Sequence, residues 1–271
     1  NKSDATLLTH PNSHPFDSDL VVVNNENKVE TFDSKENVRN YDYKNLVNSG
    51  IYCFSPKVFD YVNEPKKYGL EKDVISKMII NGDNVYSYHS TEYVKDMGTP
   101  ERFYAVNDDY ANGISEQRNL SHKQKAIFLD RDGTINVYIP FLVNKEKFEL
   151  IDGASEAIKK INSSDYLCIV VTNQPIIARG ESSFENLEDI HKRMETLLGR
   201  DGAYIDGLYF CPHHKDKGFP GEVPELKFDC DCRKPKIGML LEAVKDFNID
   251  LSESVVIGDS TLDIKMAENA N

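Results

Sequence analysis

From Ala126 onward the sequence alternates short apolar runs with longer stretches whose apolar residues recur at helical spacing, and few folds accommodate that rhythm. Residues 126–129, 167–171, 207–210 and 254–257 read as buried strands. Between them, Ala154, Ala157, Ile158 and Ile161 form one helical stripe behind Asp152, a residue able to cap a helix. Leu187, Ile190, Met194 and Leu197 form a second stripe, and Leu240, Ala243, Val244 and Phe247 a third. Strands separated by helices of this length imply a parallel, doubly wound, Rossmann-like α/β sheet, which binds its ligand at the carboxyl ends of the strands. The polar motifs of this half all fall just after a strand.

Residues before Gly113 follow another pattern. Residues 20–23 and 28–32 flank Asn24-Asn25-Glu26-Asn27 as a hairpin, and 46–54 form a longer strand. Ser55-Pro56 and Thr99-Pro100 each pair a capping residue with a proline at the first helical position. Residues 114–124 are polar without an apolar period, so the chain divides into a unit over 1–113, a linker over 114–124 and a unit over 125–271. A net charge of −13 argues against a nucleic-acid partner, while leaving room for small phosphorylated substrates in a locally basic pocket. No apolar run reaches the roughly 18 residues that span a bilayer, so no membrane partner is expected. Nothing in the sequence specifies an oligomeric state.

Two motifs carry chemistry. The run 126–129 leads into Asp130-Arg131-Asp132-Gly133-Thr134. Two carboxylates two residues apart on a loop leaving a strand can serve one reaction centre, Asp130 as nucleophile towards phosphorus and Asp132 as general acid and then base. Gly133 permits the tight turn that brings backbone N–H groups to a phosphoryl group. The second motif, Cys211-x-His213 with Cys230-x-Cys232, offers three thiolates and an imidazole, a tetrahedral Zn²⁺ set in which His214 is the alternative imidazole. Five cysteines, three of them crowded near histidines, point to a reduced, cytoplasmic protein rather than a disulfide framework. Cys168 and Cys53 read as core residues.

The Asp130 motif resembles that of the haloacid dehalogenase (HAD) superfamily of phosphohydrolases, and three further family motifs follow in order. The resemblance implies that Thr172, with Asn173 and Gln174, holds the phosphoryl group, and that Lys234 neutralises charge on nucleophile and phosphate. It further implies that Gly258-Asp259, with Asp263, holds Mg²⁺ together with Asp130 and the main-chain carbonyl of Asp132. The run Asp130 to Asn136, Thr172-Asn173-Gln174 followed by Ala178-Arg179-Gly180, and Cys230-Asp231-Cys232-Arg233-Lys234-Pro235 are similar to the D-glycero-D-manno-heptose 1,7-bisphosphate phosphatases, with the histidinol-phosphate phosphatases, which share the zinc loop, as nearest rival. The long stretch between His213 and Cys230 favours the heptose branch. Arg179 and Arg233 are then candidates for the second, non-reacting phosphate, because a guanidinium fork matches phosphate oxygens.

Residues 1–113 resemble the carboxy-terminal part of sugar-phosphate nucleotidyltransferases through Asn48-Ser-Gly-Ile-Tyr52, Leu70-Glu71-Lys-Asp73 and Lys95-Asp96-Met-Gly-Thr-Pro-Glu101. That resemblance implies sugar contacts from Asn48 and Glu71, and a catalytic Mg²⁺ on Asp96 in a complete transferase. No Gly-rich triphosphate loop precedes these motifs, and the sequence stops at Asn271, where the phosphatase family's sheet usually continues. The expectation is therefore a fragment of a bifunctional enzyme: a partial α/β nucleotidyltransferase-like domain, then a HAD phosphatase domain with a zinc loop. In such a pairing the phosphatase makes the heptose 1-phosphate that the transferase activates.

Overall fold

A computed structural model describes residues 3–270. The first half holds strands β1 (Ala5–His10), β2 (Leu20–Val23), β3 (Val29–Asp33), β4 (Val47–Phe54) and β5 (Val85–His89), with helices α1 (Ser76–Ile80), α2 (Pro100–Ala111) and α3 (Ile114–Gln117). These strands form one sheet in the order β3-β2-β4-β1-β5, antiparallel except for the parallel β1–β5 pair. The hairpin expected around residues 24–27 is the β2–β3 connection, where Asn27 adopts a positive φ of 59°. Thr99 caps α2 by accepting from the Arg102 N–H.

The second half holds β6 (Lys125–Leu129), α4 (Ala154–Asn162), β7 (Tyr166–Asn173), α5 (Phe184–Arg200), β8 (Gly207–Cys211), α6 (Gly238–Phe247), β9 (Val255–Ile257) and α7 (Thr261–Ala270). Its four strands are parallel in the order β8-β7-β6-β9. Along β7 the side chains alternate between two cores. Leu167, Ile169 and Val171 pack with Met239, Leu240 and Ala243 of α6 and Met266 of α7. Cys168 and Val170 pack with Ile158 and Ile161 of α4 and with Ile190, Met194 and Leu198 of α5. Helices on both faces make this the doubly wound sheet that the alternation implied. The chain runs outward from β6 to β8, then returns to the far side of β6 as β9. The resulting crevice opens at the carboxyl ends of β6 and β9, where such sheets bind ligands.

Several local expectations fail, each for a physical reason. Asp152 does not cap α4; the cap is Gly153, whose φ of 81° turns the chain into the helix. Ser55-Pro56 opens only a 3₁₀ turn over Pro56–Tyr61, with no bond from the serine side chain. Cys53 is exposed, because Tyr52 and Phe54 take the inward side of β4. Residues 114–124 include α3, and the half-buried Arg118 pairs at 3.2 Å with Asp206, which also accepts from the Cys168 N–H.

The halves are joined side by side. Residues 42–45 run along α5, where the Tyr43 N–H donates to Thr196 Oγ1 at 2.8 Å and the Asn45 N–H donates to Glu195 at 2.7 Å. Lys44 pairs with Glu188, and Asp42 with Arg193 and Lys145. Pro15 lies so close to Gly199 of α5 that a Cβ there would be 2.5 Å from the proline ring. Among the described residues no helix is long and apolar enough to cross a membrane.

Candidate active site

β6 delivers Asp130 to the crevice, with its N–H bonded to the carbonyl of Ile257 at the end of β9. The carboxylate is 9% exposed. One oxygen accepts from the Arg131 N–H at 2.7 Å, and the other lies 2.9 Å from Lys234 Nζ. Lys234 is buried between two acids: Nζ also pairs with Asp263 at 2.6 Å and donates to the carbonyl of Val171 at 3.1 Å. Burial pushes the Asp130 carboxyl above its usual range, against the pull of Lys234. Burial pushes Asp263 up too, but donation from Lys234 and Ser260 outweighs it and leaves that carboxyl below the ordinary value.

Carboxylate oxygens of Asp130, Asp259 and Asp263 all lie within 4.8 Å of one another. Gly133 and Gly258 make this crowding possible. A Cβ at Gly133 would stand 2.0 Å from Asp259, and one at Gly258 would stand 2.2 Å from Asp263. Three carboxylates around one lysine leave an excess of negative charge, and an all-oxygen donor set suits a hard divalent cation. The residues therefore fit a metal ion.

Asp132 faces another set. Arg131, although 0% exposed, curls back so that Nη2 donates to both Asp132 oxygens at 2.7 and 2.9 Å. Asn136 donates to one of those oxygens at 3.1 Å and Gln174 to the other at 2.8 Å. Gln174 also donates to Thr172 Oγ1 at 2.9 Å, so the hydroxyl and the second carboxylate are linked. Thr172 and Asn173 belong to the end of β7 itself. The Asn173 amide is taken up by the backbone of Lys234, accepting from its N–H at 3.0 Å and donating to its carbonyl at 3.3 Å. Asn173 thus holds the lysine rather than facing open space.

The zinc-type residues converge next door. β8 runs one residue further than expected and ends on Cys211. The sulfurs of Cys211 and Cys230 are 3.5 Å apart, and those of Cys230 and Cys232 are 3.4 Å apart. His213 Nδ1 lies 3.2 Å from Cys232 Sγ and 3.7 Å from Cys211 Sγ. Tetrahedral bonds of about 2.3 Å require edges near these lengths. The spacing therefore suits His213 as a fourth donor, while His214 turns away and receives a hydrogen bond from Arg179 at 3.1 Å. Arg179 is stacked between Phe141 and Phe219, and Arg233 donates to the carbonyl of His213. Lys227, whose amine is buried over the Phe219 ring, joins this basic group.

In the first half, Asn48 donates to the Tyr52 hydroxyl at 2.7 Å, and that hydroxyl donates to Glu71 at 2.6 Å. Asn48 and Asp96 line a cleft of about 630 Å³, and the carboxylate of Asp96 pairs with Arg102 and accepts from the Gly98 N–H. Sequence reasoning assigned no role to Arg131, Asn136, His191 or Lys227. Arg131 was hidden as the variable residue of the Asp-x-Asp pattern. His191 sits on an apolar helix face and carries no spacing signal.

Comparisons with known proteins match both halves of the chain. Residues 1–113 match the nucleotidyl transferase family model, and residues 231–271 match the HAD-hydrolase-like model. A D-glycero-beta-D-manno-heptose-1,7-bisphosphate 7-phosphatase of Haemophilus influenzae is 42% identical over 142 residues, which is 52% of this chain and 74% of that protein. Its namesake from Pasteurella multocida is 43% identical over 148 residues, 54% of this chain and 77% of that protein. Among solved structures, a HAD-like phosphatase from Mesorhizobium loti is 34% identical with a TM-score of 0.51, covering 55% of this chain and 69% of that one.

Proposed function

We propose a function from one premise: the chain belongs, through its second half, to the heptose-1,7-bisphosphate phosphatase family of HAD-like hydrolases. It is a phosphoric monoester hydrolase, and its substrate in this reading is D-glycero-D-manno-heptose 1,7-bisphosphate, from which it removes the 7-phosphate as its relatives' names state. The observation that carries the reading is Lys234, pinned between Asp130 and Asp263 beside the crevice. A buried cation there holds Asp130 as an anion aimed out of the sheet and remains close to the phosphoryl oxygens as they approach.

Asp130 attacks phosphorus in line, the P–O bond to the sugar breaks, and an aspartyl phosphate forms. Asp132 gives a proton to the departing sugar oxygen and then takes one from the water that cleaves the intermediate. Thr172 and Gln174 bind the phosphoryl group, with Asn173 keeping Lys234 in place. Asp130, Asp259 and the main-chain carbonyl of Asp132 would hold Mg²⁺, which when bound supplies positive charge against the dianionic phosphate. Cys211, His213, Cys230 and Cys232 would hold Zn²⁺, with all four positions taken by protein, so that the ion braces the loop carrying Arg233 and Lys234. Arg179 and Arg233 grip the second phosphate.

In this reading the enzyme works on a small phosphorylated sugar in the cytoplasm. The first half supports a second activity: its match to nucleotidyl transferases and the Asn48–Tyr52–Glu71 chain beside the Asp96 cleft fit binding of a sugar phosphate. A phosphate-release screen with Mg²⁺ over heptose bisphosphate, histidinol phosphate and hexose phosphates tests the main reading. The heptose ester should be hydrolysed fastest, and preference for histidinol phosphate would overturn the substrate assignment.

A further inference from the structure

We propose that His191 is a positioning residue for the general acid, acting on Asp132 through Arg131. The proposal deepens the phosphatase reading and rests on it. Arg131 is 0% exposed, and a guanidinium so deeply buried is tolerated only when its N–H groups find acceptors. Nε and Nη2 are turned to Asp132, and Nη1 donates to His191 Nε2 at 3.2 Å. The guanidinium is planar and rigid, so fixing Nη1 at one corner fixes the direction in which Nη2 meets the carboxylate. Removal of the imidazole strands a buried donor, and rotation of the fork to find another acceptor carries the carboxylate with it.

The imidazole is itself well fixed. It rises from α5 and is 3% exposed, and its ring lies 5.5 Å from the ring of Phe210 on β8. On the same helix, Thr196 and Glu195 receive the Tyr43 and Asn45 N–H groups of the first half. Acceptance at Nε2 requires a neutral ring with its proton on Nδ1. Burial and then the neighbouring Arg131 charge hold the imidazole well below its ordinary pKa, consistent with that form. Proton transfer depends on where the carboxylate stands relative to the leaving oxygen and then the water, so this support bears on those transfers rather than on binding.

That difference supplies the test. A sugar oxygen needs protonation as it leaves, whereas p-nitrophenolate leaves without help. Full-length His191→Ala and His191→Gln would be compared on p-nitrophenyl phosphate and on the sugar monoester that the parent protein hydrolyses fastest. His191→Ala should lower kcat/KM on the sugar ester, which reports only the steps up to loss of the sugar, by about tenfold or more, within the range of general-acid contributions, with kcat/KM on the aryl ester changed less than about threefold. His191→Gln, which keeps an acceptor, should recover most of the loss. An equal loss of kcat/KM on both esters, or none on either, would overturn the role. Should the alanine variant fail to fold, ¹⁵N NMR of the parent protein decides: a neutral ring with unprotonated Nε2 supports the contact, and an imidazolium or a proton on Nε2 refutes it. Inactivity of the parent towards every ester would instead count against the phosphatase reading itself.

Discussion

Asp130 is held at two points, by the Arg131 N–H and by Lys234, and this double hold makes its replacement informative. Asp130→Asn keeps the size and the hydrogen bond from Arg131 while removing the charge that attacks phosphorus. Phosphate release should fall to less than about a hundredth of the parent rate with the thermal midpoint little changed; a larger residue of activity would remove Asp130 from the nucleophile's place. Part of this cluster was legible in the sequence, because Asp130 and Asp259 follow strands that their apolar runs announce. Thr172 lies at the end of β7, Lys234 lies 2.9 Å from Asp130, and Asp259 falls in the same carboxylate cluster. Arg131 and His191 were not legible, since their value lies in where a buried guanidinium turns, and one-dimensional spacing does not encode that. Cys53 misled for a related reason: an apolar strand has two faces, and residue type alone did not say which one it takes.

At the scale of elements, the zinc loop and α5 make separate predictions. Gln174 N–H donates to the Cys211 carbonyl, so the phosphate-holding loop is tied to the cysteine cluster as well as to Lys234. Cys230→Ser should therefore lower kcat and weaken bisphosphate binding together while leaving the Mg²⁺ requirement unchanged, and elemental analysis of the parent protein should find about one zinc per chain. Full activity in that variant would show that the loop needs no brace. On α5, burial pushes the carboxyl of half-buried Glu195 up to about 7. A carboxyl raised on folding stabilises the fold below its unfolded value, and that contribution is lost as pH rises through the folded value, here between about 4.5 and 7. The loss should amount to on the order of 1 kcal/mol, allowing for partial exposure. Melting curves at pH 5.5 and 8 should then diverge for the parent protein and move together for Glu195→Gln. Equal pH dependence of the two proteins would contradict the assignment.

The whole molecule is organised by the seam between its halves, which spacing in the sequence did not announce because its contacts join distant segments. Gly199 tests how tightly that seam is closed. In an isolated helix, alanine in place of glycine gains about 1 kcal/mol. Here the new Cβ meets the Pro15 ring at 2.5 Å, and overpacking of this kind costs about 1–3 kcal/mol. Gly199→Ala should thus destabilise the protein in urea and expose the Tyr43 amide to hydrogen exchange; a gain in stability would mean that the seam yields. The same contact has a consequence in time. Tyr43 and Thr196 stand 153 positions apart, so at about 5–20 residues per second the ribosome releases segment 42–45 roughly eight to thirty seconds before the helix that receives it. Until then the Tyr43 and Asn45 N–H groups are satisfied by water, and the first sheet must fold with its flank open. Docking of the halves accordingly waits for α5, and a nascent chain stalled within that helix would present the flank to whatever chaperone or neighbour meets it first.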